Sequence, residues 1–268
     1  MNYQVDVIII GDSKQGHELL DKIASIKPTI KVAFISQAFK STTTHDYLNV
    51  EYFKDEVVHV GYKYRLFGCY LANNDHIYGT HLIVASGLSY EPFVLNNEPV
   101  PCVFNNSYDI PKMAKNQPAI VIGDQTADAN LAIELSKKYK QVYLCTNDLN
   151  FVKASSAVAK KLAKIENLVV LPNTAIRKVI VEDGVLQKVE LDNYSVINCS
   201  AIYVKTASKP AVSFIPDRLI KKDELGYLVV LDNAESEIVP RCFAIGSCVP
   251  KYTKVMEQKL IDTIIKDF

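Results

Sequence analysis

The stretch Val7-Ile8-Ile9-Ile10-Gly11-Asp12-Ser13-Lys14-Gln15-Gly16 decides how this chain is read. Four consecutive β-branched residues ending in glycine have the texture of a parallel strand buried on both faces. Gly11 to Gly16 form a polar turn. From His17 to Ile26 the apolar positions Leu19, Leu20, Ile23 and Ile26 recur at helical spacing. Pro28 lies beyond the helix end, and Lys31 to Ile35 hold a second apolar run. Strand, glycine turn, helix and strand therefore open the chain.

The same order returns further on. Ala119 to Ile122 are apolar and end at Gly123; Ala127 to Tyr139 read as a helix and Gln141 to Cys145 as a strand. A further helix is expected over Ala154 to Ile165 and a strand over Leu168 to Leu171. Arg177 to Val181 and Leu186 to Leu191 flank Asp183-Gly184, a hairpin signal, and Ala201 to Val204 close this half. Between the two β-turn-α-β units, Glu56 to Tyr78 read as short strands around a turn at Asn73-Asn74-Asp75. Leu82 to Ala85 is another buried strand, ending in Ser86-Gly87. Glu91 to Pro101, with three prolines and two asparagines, reads as a connector. The chain ends with an expected strand Tyr227 to Leu231, a strand Cys242 to Ile245 closed by Gly246, and a helix Val255 to Ile265. Two dinucleotide-binding folds give this order of elements.

Composition narrows the classes. Of 268 residues, 49% are hydrophobic and 22% charged, enough core for two domains and too little charge for a disordered chain. Thirty basic and thirty acidic residues balance, so no global field draws the protein to nucleic acid or an anionic membrane. The lysine groups at 137, 138, 140 and at 160, 161, 164 read as solvated helix faces. Val7 to Ile10 is too short for a signal peptide or a membrane span, and a cytosolic location is the expectation. Cys69, Cys102, Cys145, Cys199, Cys242 and Cys248 contain no C-x-x-C and read mostly as buried thiols. The histidines show no metal spacing, and no G-x-S-x-G elbow is present.

Five landmarks in order carry a resemblance. They are Val7 to Gly11; Leu82-Ile83-Val84-Ala85-Ser86-Gly87; Val121-Ile122-Gly123; Asp223 to Val230; and Val239-Pro240-Arg241-Cys242-Phe243-Ala244-Ile245-Gly246. Together they resemble the thioredoxin-reductase-like branch of the pyridine nucleotide-disulfide oxidoreductases, which includes flavin-dependent ferredoxin-NADP reductases. The resemblance implies an α/β protein of two Rossmann-like lobes, the FAD/NAD(P)-binding fold, with the second lobe inserted into the first. Residues 1–104 and 209–268 would form the FAD lobe and residues 105–208 the NAD(P) lobe. It also implies a homodimer; a small redox protein or other protein is the expected partner, and the balanced charge and short apolar run already argue against nucleic acid and membrane. The chain is shorter than such relatives between Ser36 and Glu56.

The cofactor motifs depart from the family pattern. In G-x-G-x-x-G the second glycine admits the pyrophosphate and the third lets helix pack on strand. Gly11 and Gly16 stand at the first and third positions, and Ser13 replaces the second. Asp12 adds negative charge, which Lys14 offsets in part. His17 reads as a surface histidine, with neutralisation of a phosphate as the alternative. Ser36 stands where a carboxylate would hold ribose, and Ser247 follows Gly246 where an aspartate would hold the ribityl chain. Val255 suits a backbone contact to the flavin ring. The second fingerprint, Gly123-Asp124-Gln125-Thr126-Ala127-Asp128, keeps only Gly123. There Gln125 and Asp128 would crowd the turn and two carboxylates would face a pyrophosphate.

Thr146-Asn147-Asp148 offers no base for a 2′-phosphate, and Ala207 replaces a strand-end glycine. Asn106 and Asp109 fall where the two redox cysteines would be, so thiol–disulfide exchange is not expected. The FAD positions are thus Gly11, Ser13, Lys14, Gly16, Ser36, Gly87, Gly246, Ser247 and Val255, with Gly123 for the nicotinamide nucleotide. No catalytic set is identified. Two readings stand: a flavin-dependent oxidoreductase with FAD but without normal NAD(P)H binding, or a pseudoenzyme that keeps the fold as a binding or regulatory module.

Overall fold

The computed structural model describes residues 1–37, 47–105, 116–147 and 156–268. Two compact units are present: Met1–Ser89 with Ser208–Phe268, and Tyr90–Ala207. The sequence reading drew the first boundary at 104/105. In the structure residues 90–104 fall in the second unit, because Val103 and Phe104 join its sheet beside Ile202 and Tyr203.

The first unit begins with β1 (Asn2–Gln4), β2 (Val7–Ile10), α1 (Lys14–Ile26), β3 (Val32–Ser36) and β4 (Val50–Lys54). Then follow β5 (Val57–Lys63), β6 (Leu66–Leu71), β7 (His76–Gly79), β8 (His81–Val84) and the short β9 (Leu88–Tyr90). The helix starts three residues before the first predicted position. Ser13 caps it: the Gly16 N–H donates to Ser13 Oγ at 3.1 Å.

The second unit runs through β10 (Val94–Leu95), β11 (Glu98–Pro99), β12 (Val103–Phe104), β13 (Pro118–Ile122), α2 (Thr126–Ser136), β14 (Gln141–Cys145) and α3 (Ser156–Leu162). It continues with β15 (Leu168–Leu171), β16 (Ile176–Glu182), β17 (Val185–Leu191), β18 (Val196–Asn198) and β19 (Ala201–Val204). Its parallel sheet has the order β12-β19-β13-β14-β15, and β16-β17-β18 form an antiparallel sheet. The expected connector Glu91 to Pro101 contains a small hairpin, β10 against β11. Asp183 and Gly184 both have positive φ, as the hairpin between β16 and β17 requires.

The chain then re-enters the first unit with β20 (Ser208–Pro210), which pairs with β9, then β21 (Cys242–Ala244), a 3-10 turn at Gly246–Cys248, and α4 (Lys254–Asp267). The expected strand Tyr227 to Leu231 is not formed; Leu228 makes only an isolated bridge to Lys222. Its N–H groups go to scattered acceptors: Leu228 to Cys248, Val229 to Lys221 and Leu231 to Glu235. No single neighbour offers a ladder.

The first unit's parallel sheet has the order β21-β8-β2-β3-β4. Alternate residues of each strand point to opposite faces. Val7, Ile9, Val32, Phe34 and Ile83 pack with Leu19, Leu20 and Ile23 of α1 and Leu260, Ile261 and Ile264 of α4. Ile8, Ile10, Ala33, Ile35, Leu82 and Val84 pack instead with Val60, Phe67, Cys69 and Ile77 of the mixed sheet β1-β7-β6-β5, in which only β1 and β7 run parallel. Each fully buried Val or Ile contributes about 1.5–3 kcal/mol, which is why the unbroken apolar runs commit to the sheet. Among the described residues no helix is long and apolar enough to cross a membrane.

Gly11 has φ +111°, and a Cβ there would lie 2.5 Å from the Ala85 carbonyl carbon. Backbone cannot give way as a flexible side chain can. Strain at this φ and the overlap together are expected to cost roughly 3–5 kcal/mol. Gly11→Ala should therefore lower the unfolding free energy of the first unit by about that amount in urea melts, with or without added cofactor; wild-type stability in the variant would contradict this packing role.

His81, 1% exposed, lies between the Thr80 hydroxyl and Asp267, with the Phe268 ring packed at a tilt against its own. Asp267 also pairs with Arg241 Nε at 3.0 Å. Burial, helped by Arg241, holds the imidazole below its ordinary range, while Asp267 pulls the other way. The folded state then binds fewer protons than the unfolded chain, so this contribution is present above about pH 6.5 and is lost as pH falls below it. His81→Gln should flatten the fall in stability between about pH 7 and pH 5.5; an unchanged pH profile would contradict it.

Candidate functional site

The turn between β2 and α1 is built around two glycines that the packing itself demands. Gly11 crosses the backbone of Ala85 and Ser86 at the end of β8. A Cβ on Gly16 would meet Gly11 O at 3.0 Å and the Ala85 methyl at 3.2 Å, so helix and strand approach there without a side chain between them. Ser13, at the position where a phosphate would approach, has an ordinary extended backbone (φ −77°, ψ 157°), and its hydroxyl faces the Gly16 N–H.

Asp12 does not stand as an open negative charge. Its carboxylate is bonded to His17 Nε2, and the His17 ring packs on Phe34 with centroids 4.9 Å apart. His17 is therefore half-buried and structural, not the surface residue expected from the sequence. Its signal was positional. Asp12 and His17 occupy the residue before the cap and the fourth helical residue, the pair that a hydrophobic staple uses. Lys14 is exposed and pairs loosely with Glu18 at 3.6 Å.

The other first-unit positions surround the same strand ends. Ser36 closes β3, opposite Lys54 in register. Gly87 has φ +68° and open space where a Cβ would point. Gly246 has φ +77° and opens the 3-10 turn in which Ser247 is exposed. Val255, 64% exposed, sits in the first turn of α4, which Thr253 caps through the Met256 N–H at 3.3 Å. The sequence reading missed Gln15. Its amide oxygen lies 3.3 Å from where a Cβ on Gly246 would be. The α1 and α4 helices are also tied by Lys22 Nζ to the buried Glu257 at 2.6 Å.

The second unit's turn is filled differently. Gly123 has φ +152°, and a Cβ there would lie 2.9 Å from Asp128 Cβ and closer still to its carboxylate. Asp128 is 5% exposed, and its Oδ2 accepts the Gln125 N–H at 3.0 Å. Asp124 Oδ1 accepts the Asn147 N–H at 2.8 Å. Both carboxylates were expected to face a ligand; both instead bond backbone of their own unit. The spacing of Gln125 to Asp128 is that of a capping box, the signal that could have revealed this.

Five of the six cysteines are buried. Burial pushes the Cys145 and Cys199 thiols up to about 12 and Cys248 to about 11, and it raises Cys69 and Cys242 as well. A thiol in that range is not a ready nucleophile. Cys102 is half-buried, its Sγ 3.5 Å from Gly184 O. Asn106, Asp109 and Asp148 lie outside the described residues. Among the described residues no group of three His, Cys, Asp or Glu could hold a metal ion.

The positions expected to hold FAD fit a dinucleotide in part. Gly87 and Val255 leave space and an apolar surface, and the N-terminal turn of α1 carries no uncompensated carboxylate. Ser13, Ser36 and Ser247 offer hydroxyls where close backbone or carboxylate contacts would serve better. The positions expected to hold a nicotinamide nucleotide do not fit: Gln125 stands at the middle position of the turn, and its N–H is already taken by Asp128.

Comparison with known proteins agrees with this architecture. Across solved structures the chain is similar to thioredoxin reductase from T. acidophilum, with 17% identity, 98% of each chain covered and a TM-score of 0.68. It is similar to the thioredoxin reductase of Lactococcus lactis, at 16%, 98% of each chain and 0.66. It is also similar to that of Streptococcus pyogenes MGAS5005, at 16%, the full length of both chains and 0.60. At such identities these likenesses carry the fold alone. No curated protein sequence matches. A family model described as pyridine nucleotide-disulphide oxidoreductase matches residues 6–246, and by that match, on this two-unit fold, the chain belongs to the pyridine nucleotide-disulphide oxidoreductases.

Proposed function

We propose that this protein is a reduced flavoprotein that holds FAD in its first unit and carries out no dithiol exchange. The observation that carries the reading is the state of the α1 turn. Its cap is a neutral hydroxyl, and its one acidic residue, Asp12, is engaged by His17. A pyrophosphate there meets a helix N-terminus and the exposed Lys14 without an opposing free carboxylate. Gly87 and Val255 supply room and an apolar contact further along.

FAD, when bound, supplies the electron-transfer chemistry. The residues of this chain position it. Ser13, Lys14 and Gly16 face the diphosphate, Ser36 the adenosine side, and Gly246, Ser247 and Val255 the ribityl and ring side. A dithiol relay has no support, since the sequence lacks C-x-x-C and its five buried thiols stay protonated. A small redox protein fits the role of partner in electron transfer.

A second reading, a retained fold without cofactor, is favoured by Gln15. Its side chain leans over Gly246, between the α1 turn and the 3-10 turn. The two readings separate by spectroscopy. Purified protein incubated with FAD and desalted should keep the visible flavin bands; a colourless protein that takes up no FAD supports the second reading. Ser13→Gly should tighten FAD about tenfold, equivalent to about 1.4 kcal/mol, because glycine costs a helix cap only a few tenths of a kcal/mol. Unchanged FAD affinity in Ser13→Gly would remove the diphosphate from this turn.

A further inference from the structure

We infer that Asp128 is a built-in anion that closes the second unit's nucleotide turn, so that this unit does not accept NAD(P)H. The inference stands independently of the flavin reading, since it concerns a different turn.

In a nucleotide-binding turn of this kind the middle glycine leaves room for phosphate, and the first N–H groups of the following helix donate to it. Here the middle position is Gln125, and a carboxylate already lies inside the turn. The Asp128 side chain packs against Gly123, and its Oδ2 accepts the N–H of Gln125, the cap residue of α2, at 3.0 Å. At 5% exposure it sits inside the turn, not on its rim. Its charge also complements the α2 N-terminus, as a bound phosphate would.

A second contact closes the mouth of the crevice. β13 and β14 are parallel neighbours, with Ile122 opposite Cys145. Just past their ends Asp124 Oδ1 accepts the Asn147 N–H at 2.8 Å, joining the two loops. Ligands of open α/β sheets bind in the crevice outside the carboxyl ends of such strands. A nucleotide diphosphate entering there would have to displace one internal carboxylate from its donor and pass beside another of like charge. The first unit's turn differs in kind, because Gly16 stands at the third helical position, where α2 has Asp128. Reducing equivalents for a flavin in the first unit would then come from a donor other than NAD(P)H.

The test uses the full chain, with and without FAD, and inorganic pyrophosphate and NADPH as probes. With saturating FAD occupying the first unit's turn, wild type should show no pyrophosphate-dependent rise in melting temperature and no saturable NADPH binding by fluorescence, at millimolar concentrations. Asp128→Gly should melt lower than wild type and gain a saturable, pyrophosphate-dependent rise. Asp128→Asn keeps an acceptor for the Gln125 N–H, so it guards against a glycine variant that fails to fold. It should gain a smaller rise, because the charge is gone but the space is still filled. Saturable NADPH binding by wild type, or no gain over wild type in any variant that folds, would overturn the inference. FAD uptake in the same preparations reports on the flavin reading alone.

Discussion

Where β2 ends, the backbone of Gly11 runs so near that of Ala85 and Ser86 that no side chain can stand between them. The two strands are hydrogen-bonded neighbours in the centre of the first unit's sheet. Their close passage sets where α1 begins, and α1 in turn lies on the sheet through Gly16, whose missing Cβ lets the helix approach Gly11 and Ala85. The burial of Leu19, Leu20 and Ile23 against Val7, Ile9 and Phe34 follows from that approach. A family fingerprint thus contains glycines of two kinds. Gly11 and Gly16 are held by the fold whether or not a ligand is present; only the middle position answers to phosphate alone, and there the chain has Ser13.

This distinction bears on how divergence in the family is read. Retained first and third glycines report a preserved packing arrangement, not a preserved cofactor. The informative positions are those the fold does not need. Ser13, Ser36 and Ser247 each replace a close or charge-assisted contact worth about 1–3 kcal/mol, yet none introduces a charge. The second unit goes further. Gly123 is again a packing glycine, but the atoms packed against it are those of the Asp128 carboxylate. On the proposed reading, the first turn offers a ligand fewer contacts and the second holds a carboxylate in the ligand's place.

Much of the architecture is legible in sequence because buried parallel strands are short apolar runs with few alternatives. Val7 to Ile10, Leu82 to Val84, Ile120 and Val121, and Cys242 to Ala244 all lie where the pattern places them. Tyr227 to Leu231 has the same texture and forms no strand, since strand formation needs a partner that local pattern cannot reveal. The hairpin of Val94 and Leu95 with Glu98 and Pro99 hides within a proline-rich connector, as its two-residue strands are too short to show a period. At the candidate site, residue types were legible and their directions were not. Asp12, His17 and Asp128 were visible as charges near a turn. That Asp12 faces His17, and that Asp128 folds back on Gln125, depends on cap geometry set by the helix start.

The central claim is that the two nucleotide turns have diverged unequally, the first still able to take a dinucleotide and the second sealed by its own carboxylate. Native mass spectrometry of the intact chain, after incubation with equal concentrations of FAD and NADPH, tests it most directly. The account predicts a single adduct with the mass of FAD and none with the mass of NADPH. An NADPH adduct, or the bare 30.0 kDa chain as the only species, would contradict it.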